Sequence, residues 1–239
     1  MEEERKKIRE DTFYQRTVAL LGEEALLRLL HAKVAVCGLG GVGAACAEAL
    51  ARSGVGALRL IDYDIISRSN LNRQLHTTLQ TVGEGKAAVL RERIFTICPH
   101  CQVETRMEKV TEASVADLLA DVDYLVDAVD DIPAKIAIAC FARKQEIPLV
   151  SSMGTGNKLH PEQLELADIS QTEVCPLARK LRRELRRLGI TKGISVVYSK
   201  ESPKKTGTFD GPPASIAFVP PVAGMILAGK VVRDLCGVE

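Results

Sequence analysis

Gly38-Leu39-Gly40-Gly41-Val42-Gly43 stands between the apolar run Lys33–Cys37 and a segment of helical spacing. Glycines in that setting let the backbone turn tightly and approach a ligand, and the following helix offers free N–H donors and partial positive charge. That is chemistry for a phosphate. Asp62 closes the next apolar run about 20 residues on, where a carboxylate can accept hydrogen bonds from a ribose. The glycine spacing alone leaves a dinucleotide and ATP equally open. Arg73, Lys86 and Asp130 separate them. Attack on an α-phosphate builds negative charge on its oxygens and on departing pyrophosphate, which Arg73 and Lys86 are suited to stabilise. Asp130, at the end of the run Asp123–Asp130, is placed to hold a magnesium ion bridging phosphates. Hydride transfer would give those cations no task, because the nicotinamide carries the chemistry. A nucleotide-sensing module without chemistry would leave all three residues idle.

Alternating elements must position these residues. Residues 12–31 have helical spacing, 33–38 read as a strand buried on both faces, and 42–54 as a helix closed by Gly54. Strands follow at 57–62, 101–108, 123–130 and 148–154, with helices at 84–97, near 112–120 and at 134–146. The rhythm predicts an α/β fold: a Rossmann-like, mostly parallel sheet with helices on both faces and ligands at the carboxyl ends of its strands. Past residue 155 the pattern becomes irregular, with a helix at 177–188, a strand near 194–198 and a Gly-, Pro- and Lys-rich tract at 200–213. Nothing marks a linker, so the expected organisation is one domain over 1–239. Its nucleotide-binding core would be 12–155, and 156–239 would supply substrate and dimer contacts.

Composition narrows the classes. With 46% hydrophobic residues the chain can fill a core, and its net charge of +1 favours no partner overall. The charged start MEEERKKIRED lacks the apolar run of an export signal, and seven cysteines among apolar neighbours suit a reducing compartment, so a cytoplasmic address is expected. The longest apolar stretch, 216–235, is broken by prolines and charges, so no membrane span is expected. Charge is concentrated locally. Arg179, Lys180, Arg182, Arg183, Arg186 and Arg187 oppose one acid, Glu184, while Leu177, Leu181, Leu185 and Leu188 form an apolar stripe. Such a one-signed face suits RNA phosphates, and Lys200, Lys204 and Lys205 could extend it. Cys175 has no base in its sequence surroundings and reads as structural, His76 and His160 receive no role, and Gly224 reads as a packing position against the sheet or a dimer partner.

Taken together, GLGGVG, LIDYD, SNLNRQ, the lysine of VGEGKAAV and VDAVDD resemble the ubiquitin-activating-enzyme superfamily of adenylating enzymes over residues 12–155. The resemblance implies ATP binding by Gly38, Gly40, Gly41, Gly43, Asp62, Asn70, Arg73, Gln74 and Lys86, and magnesium on Asp130. Arg16 resembles an arginine supplied across a homodimer, which adds it to Arg73, Lys86 and Asp130 as an expected catalytic residue. Members acting on sulfur-carrier proteins have two CxxC pairs for zinc in the second half. Here the single pair, Cys98 to Cys101, lies in the first half, and no structural zinc is expected. The second half, through GNKLHPEQLELADISQT, PLARKLRRELRRLGI, VVYSKESP and SIAFVPPVAGMILAGKVV, resembles the tRNA threonylcarbamoyladenosine dehydratases. That implies adenylation of the threonyl carboxylate of a modified tRNA adenosine, followed by ring closure and loss of water. The alternative is adenylation of the C-terminal glycine of a ubiquitin-like sulfur-carrier protein, with a sulfur-donor or carrier protein as partner.

Overall fold

The computed structural model describes residues 11–204 and 211–238. One seven-stranded sheet runs through it in the order β3-β2-β1-β4-β5-β7-β6. The strands are β1 (Lys33–Cys37), β2 (Ala57–Ile61), β3 (Gln102–Arg106), β4 (Tyr124–Asp127), β5 (Leu149–Ser152), β6 (Leu164–Asp168) and β7 (Ser195–Ser199). All neighbours are parallel except β6 and β7. The helices are α1 (Gln15–Leu21), α2 (Glu23–His31), α3 (Gly43–Ser53), α4 (Lys86–Ile97), α5 (Val115–Leu118), α6 (Ile132–Lys144), α7 (Pro176–Arg187) and α8 (Val219–Cys236).

Alternate residues of the central strands feed two cores. Val34, Val36, Leu58, Leu60 and Val126 pack with α3, α4 and α8, whereas Ala35, Cys37, Ile61 and Leu125 pack with α5 and α6. A third cluster sets α7 against α6 and β7 through Ala178, Leu181 and Leu185. A strand buried on both faces needs apolar residues at every position, which is why β1 reads as a continuous run. The order turns back between β1 and β4, and the carboxyl ends there open a crevice.

Three expectations need correction. The helix expected over 12–31 is two helices, because Gly22 takes φ 85° between α1 and α2, where the backbone leaves helical geometry. The helix near 112–120 contracts to Val115–Leu118. Strand β6 was not anticipated, since LELAD carries two acids and pairs antiparallel at the sheet edge, where one face need not be apolar. No helix among the described residues is long and apolar enough to cross a membrane.

The last helix returns to the first third of the chain. A Cβ on Gly224 would fall 2.3 Å from the Val42 carbonyl oxygen and 2.9 Å from the Cys46 nitrogen, so Gly224 packs α8 on α3, neither on the sheet nor at the surface. Tyr124 Oη donates to Asp234 Oδ2 at 2.6 Å and Arg28 Nη1 to the Cys236 carbonyl at 2.7 Å, fixing the other end of α8. Gly224→Ala is expected to cost about 1–3 kcal/mol through overpacking. Gly229→Ala, whose new methyl would meet only the mobile end of Arg233, should be neutral or stabilising by helix propensity. Thermal unfolding of both variants checks this, and equal midpoints would remove the close approach of α8 to α3 as a constraint.

Candidate active site

A cavity of about 490 Å³ opens at the switch point. One end is lined by the glycine turn, Asp62, Asp64, Asn70, Arg73, Gln74, Lys86 and Asp130, and the other by 152–156, Leu177, Pro212, Pro213 and Ser215.

The turn is shaped by its glycines in different ways. Gly38 adopts φ 82°, and a Cβ on Gly43 would lie 1.8 Å from the Gly38 carbonyl, so these two close the turn. Gly40 is different: a Cβ there would have no neighbour nearer than Gln74 Nε2 at 3.9 Å. The fold does not require a glycine at 40, and the open space faces the cavity. Asp62 is buried and accepts two backbone bonds, from Leu39 N–H at 2.6 Å and Asp64 N–H at 2.8 Å. Burial raises its pKa, and the Lys86 cation and the two amides only partly offset that.

Lys86 opens α4 with its side chain 7% exposed, and its Nζ donates to Asp64 Oδ2 at 2.6 Å. Asp64 was missed in the sequence, although the alternation Asp62-Tyr63-Asp64 was its signal. Arg73 Nη1 donates to the Ser69 carbonyl at 2.7 Å and to Asn72 Oδ1 at 3.0 Å. Asn70 Oδ1 accepts from Ser67 N–H at 3.0 Å, capping a single 3-10 turn. Gln74 is buried, and its Oε1 has no hydrogen-bond partner. Such an unpaired acceptor typically costs about 1–3 kcal/mol.

Asp130 is exposed at the cavity, whereas Asp131 caps α6 by accepting from Ala134 N–H at 3.0 Å. Beneath them lies a buried pair the sequence did not disclose. Lys135 Nζ donates to Asp127 Oδ2 at 2.9 Å and to the Ser152 carbonyl at 2.8 Å, and Ser151 Oγ donates to the same Asp127 oxygen at 2.5 Å. The lysine ties the ends of β4 and β5 together under the site.

Other expected residues fall elsewhere. Gly43 stands behind the turn, and Arg16 is exposed on α1; neither lines the cavity. Arg182 does not belong to a free basic face. Its Nη1 donates to the Thr172 carbonyl at 2.7 Å and to Thr172 Oγ1, buttressing the segment before α7. Arg183 and Arg187 pair with Glu184, leaving Arg179, Lys180 and Arg186 exposed without a described ion pair. Leu188 is 56% exposed and Leu177 lines the cavity, so the packed stripe is Ala178, Leu181 and Leu185. Lys205 lies outside the described residues. Cys98 and Cys101 form a turn, with Cys101 N–H donating to the Cys98 carbonyl at 3.1 Å. Among the described residues no group of three or more His, Cys, Asp or Glu is arranged to hold a metal ion.

An open sheet whose order reverses beside a glycine-rich turn, with a charged cavity at the reversal, defines a doubly wound α/β protein with a ligand crevice. The chain belongs to the ThiF family, whose profile matches residues 14–239. It is 42% identical over 238 residues to the Bacillus subtilis tRNA threonylcarbamoyladenosine dehydratase, spanning 93% of this chain and 94% of that protein. The Escherichia coli tRNA N6-threonylcarbamoyladenosine dehydratase solved with ATP superposes with a TM-score of 0.89 at 34% identity, covering 94% of this chain and 93% of that one. Similarity to the Escherichia coli molybdopterin-synthase adenylyltransferase is 37% but spans only 54% of this chain and 51% of that protein.

His76, also unassigned by sequence, is buried beside this site with neither ring nitrogen hydrogen-bonded. Burial, then the Lys86 and Arg93 cations, depress its pKa to about 4, with Glu48 opposing. A depressed folded pKa means the neutral ring is favoured above the unfolded value, and that stability is lost as pH falls through the folded one. The wild-type protein should therefore lose up to roughly 3 kcal/mol between about pH 6.5 and 4 through this residue. His76→Leu should flatten that part of the profile and be neutral or stabilising at pH 7, as measured by denaturant unfolding; an unchanged slope would reject the assignment.

Proposed function

We propose that the chain is an ATP-dependent dehydratase that cyclises threonylcarbamoyladenosine in tRNA by adenylating its threonyl carboxylate. The observation that carries this reading is that one cavity is lined both by a glycine turn, two cations and an open carboxylate and by the less polar residues Met153, Gly154, Leu177, Pro212 and Pro213. Kinship over nearly the full chain supports the substrate. The similarity to the molybdopterin-synthase adenylyltransferase stops near half of it, and carrier adenylation has the weaker support.

The residues fit a nucleotide. Open space at Gly40 admits a phosphate close to the turn, the start of α3 carries the partial positive charge of a helix N-terminus, and the partnerless Gln74 Oε1 offers an acceptor to a donor on the nucleotide. Asp62 retains lone pairs for a ribose hydroxyl beyond its two amide bonds. Arg73 and Lys86 would stabilise charge as the carboxylate attacks the α-phosphorus and pyrophosphate departs. A nucleophile within the same modified nucleoside then attacks the activated carbonyl carbon, AMP leaves with the carboxylate oxygen, and the net change is loss of water. Asp130 would hold magnesium, which supplies charge neutralisation on phosphate oxygens. One protein carboxylate suits an ion that keeps most ligands from phosphate and water.

The tRNA would lie along α7, whose first turn places Leu177 on the cavity wall and which presents Arg179, Lys180 and Arg186 outward. Arg16 does not line its own chain's cavity, which suits a role in trans across a homodimer. Exposed Leu20 on α1, with Leu75, Leu79 and Phe95, supplies apolar surface for such a contact.

The deciding assay is AMP release from ATP with tRNA bearing or lacking the threonylcarbamoyl group, with mass analysis of the digested product. Modified tRNA should give AMP and a nucleoside lighter by about 18 Da, the mass of water, and Arg73→Ala or Lys86→Ala should stay folded and lose at least roughly a hundredfold in rate. ATP binding without tRNA-dependent AMP would discard the tRNA substrate. Reversing Arg179, Lys180 and Arg186 to Glu should weaken tRNA binding and flatten its salt dependence while leaving ATP affinity intact. Unchanged tRNA affinity would make the face merely solvated.

A further inference from the structure

Pro212, Pro213 and Ser215 line the cavity from the segment 211–216, which belongs to no helix or strand. Pro212 and Pro213 lack N–H groups, so this segment has few ways to hold itself in place. Among the described residues its hydrogen bonds are three. Asn157 N–H donates to the Ala214 carbonyl at 2.7 Å, Ala214 N–H donates to Asn157 Oδ1 at 2.8 Å, and Asn72 Nδ2 donates to the Ser215 carbonyl at 3.0 Å. Two of the three come from one residue.

Asn157 also accepts from Lys204 N–H at 2.8 Å through its own carbonyl, so it ties Lys204 and Ala214 to one point. Its backbone is in the left-handed region, φ 60°, which asparagine tolerates better than most side chains. The neighbouring Gly156 has no room for a side chain, since a Cβ there would meet Pro213 Cβ at 2.5 Å. The segment is anchored from behind as well. Leu159 and His160 N–H groups donate to the Glu201 carboxylate at 2.9–3.0 Å. Burial alone would raise that carboxyl, yet these amides outweigh it and hold it below the usual range. The post that carries Asn157 is therefore fixed, and Pro213 and Ala214 are placed against it, while Ser215 is held separately by Asn72.

We infer that Asn157 is a positioning residue that sets the wall of the substrate lobe, and thereby the affinity for the carboxylate-bearing nucleoside of the tRNA, without contributing to ATP binding. The inference rests on the function proposed above, because it takes the lobe opposite the glycine turn as the acyl-substrate side. It separates the two ends of one cavity: Arg73 and Lys86 serve the nucleotide, and Asn157 serves its acceptor.

The test uses the full chain and three variants. Asn157→Asp keeps an acceptor at Oδ1 and the tolerance for φ 60°, and should behave as wild type. Asn157→Gly keeps the backbone conformation but loses the acceptor for Ala214 N–H. It should raise KM for modified tRNA by about fivefold or more, the loss of roughly one net hydrogen bond's effect, with kcat and ATP affinity little changed. Asn157→Ala adds backbone strain and should also lower the thermal midpoint, so a loss of activity in this variant alone would not support the inference. If Asn157→Gly matches wild type in KM for tRNA, or weakens ATP binding in parallel, the inference falls while the dehydratase reading stands. If wild-type protein releases no AMP with modified tRNA, both fall.

Discussion

The buried carboxylate of Asp62 is the interaction on which the site's geometry depends. Its two oxygens receive the N–H groups of Leu39 and Asp64, joining the glycine turn after β1 to the loop after β2. Asp64 then holds Lys86 at the start of α4. A buried charge without partners is costly, and here burial does push Asp62 toward its neutral form. Two amide donors and a nearby ammonium are what keep the acceptor useful in the folded state. The shape of the turn and the placement of the lysine thus follow from one side chain.

That turn is also braced from the far end of the chain. Pro220, in the first turn of α8, would lie 2.9 Å from a Cβ on Gly41, and Gly224 admits the Val42 carbonyl one helical turn later. The segment 12–155 reads as a nucleotide-binding core, yet its central loop packs against residues that lie more than half the chain away. Strand β7 pairs with β5 and carries β6 with it, so one sheet spans both parts. Changes near residue 220 therefore bear on the turn as directly as changes within it.

What was legible in the sequence is what local spacing encodes. Strand runs such as VAVC were readable, and the glycine turn after β1, Asp62 after β2, Asp130 after β4, and Arg73 and Lys86 from the connection that leads from β2 into α4 all fall on the cavity, because chain direction in a parallel sheet brings the strands' carboxyl ends to one edge. What was not legible depends on who meets whom. Periodicity placed Arg182 on the polar side of α7 but could not show that the Thr172 carbonyl waits there. Lys135 sits in an apolar helix, IPAKIAIACFA, where only the spatial arrival of Asp127 and Ser151 explains a buried cation. The wall built from 152–156 and 212–215 has no motif, since it joins residues about 60 positions apart, through bonds such as those between Asn157 and Ala214.

The pairing of Lys86 with Asp64 bears on how such a site can wait for a phosphate. The Lys86 side chain is only 7% exposed, and its nearest counter-charge is Asp64 Oδ2 at 2.6 Å. Asp64 keeps the charge in place, but at 46% exposure it is itself well hydrated. Exchanging a hydrated carboxylate for a phosphate oxygen leaves no buried charge unpaired, whereas breaking a fully buried pair such as Lys135–Asp127 would. The two lysines of the site therefore divide by the exposure of their partners: Lys135 is a fixed strut, and Lys86 is a cation free to change partners, as the proposed adenylation requires.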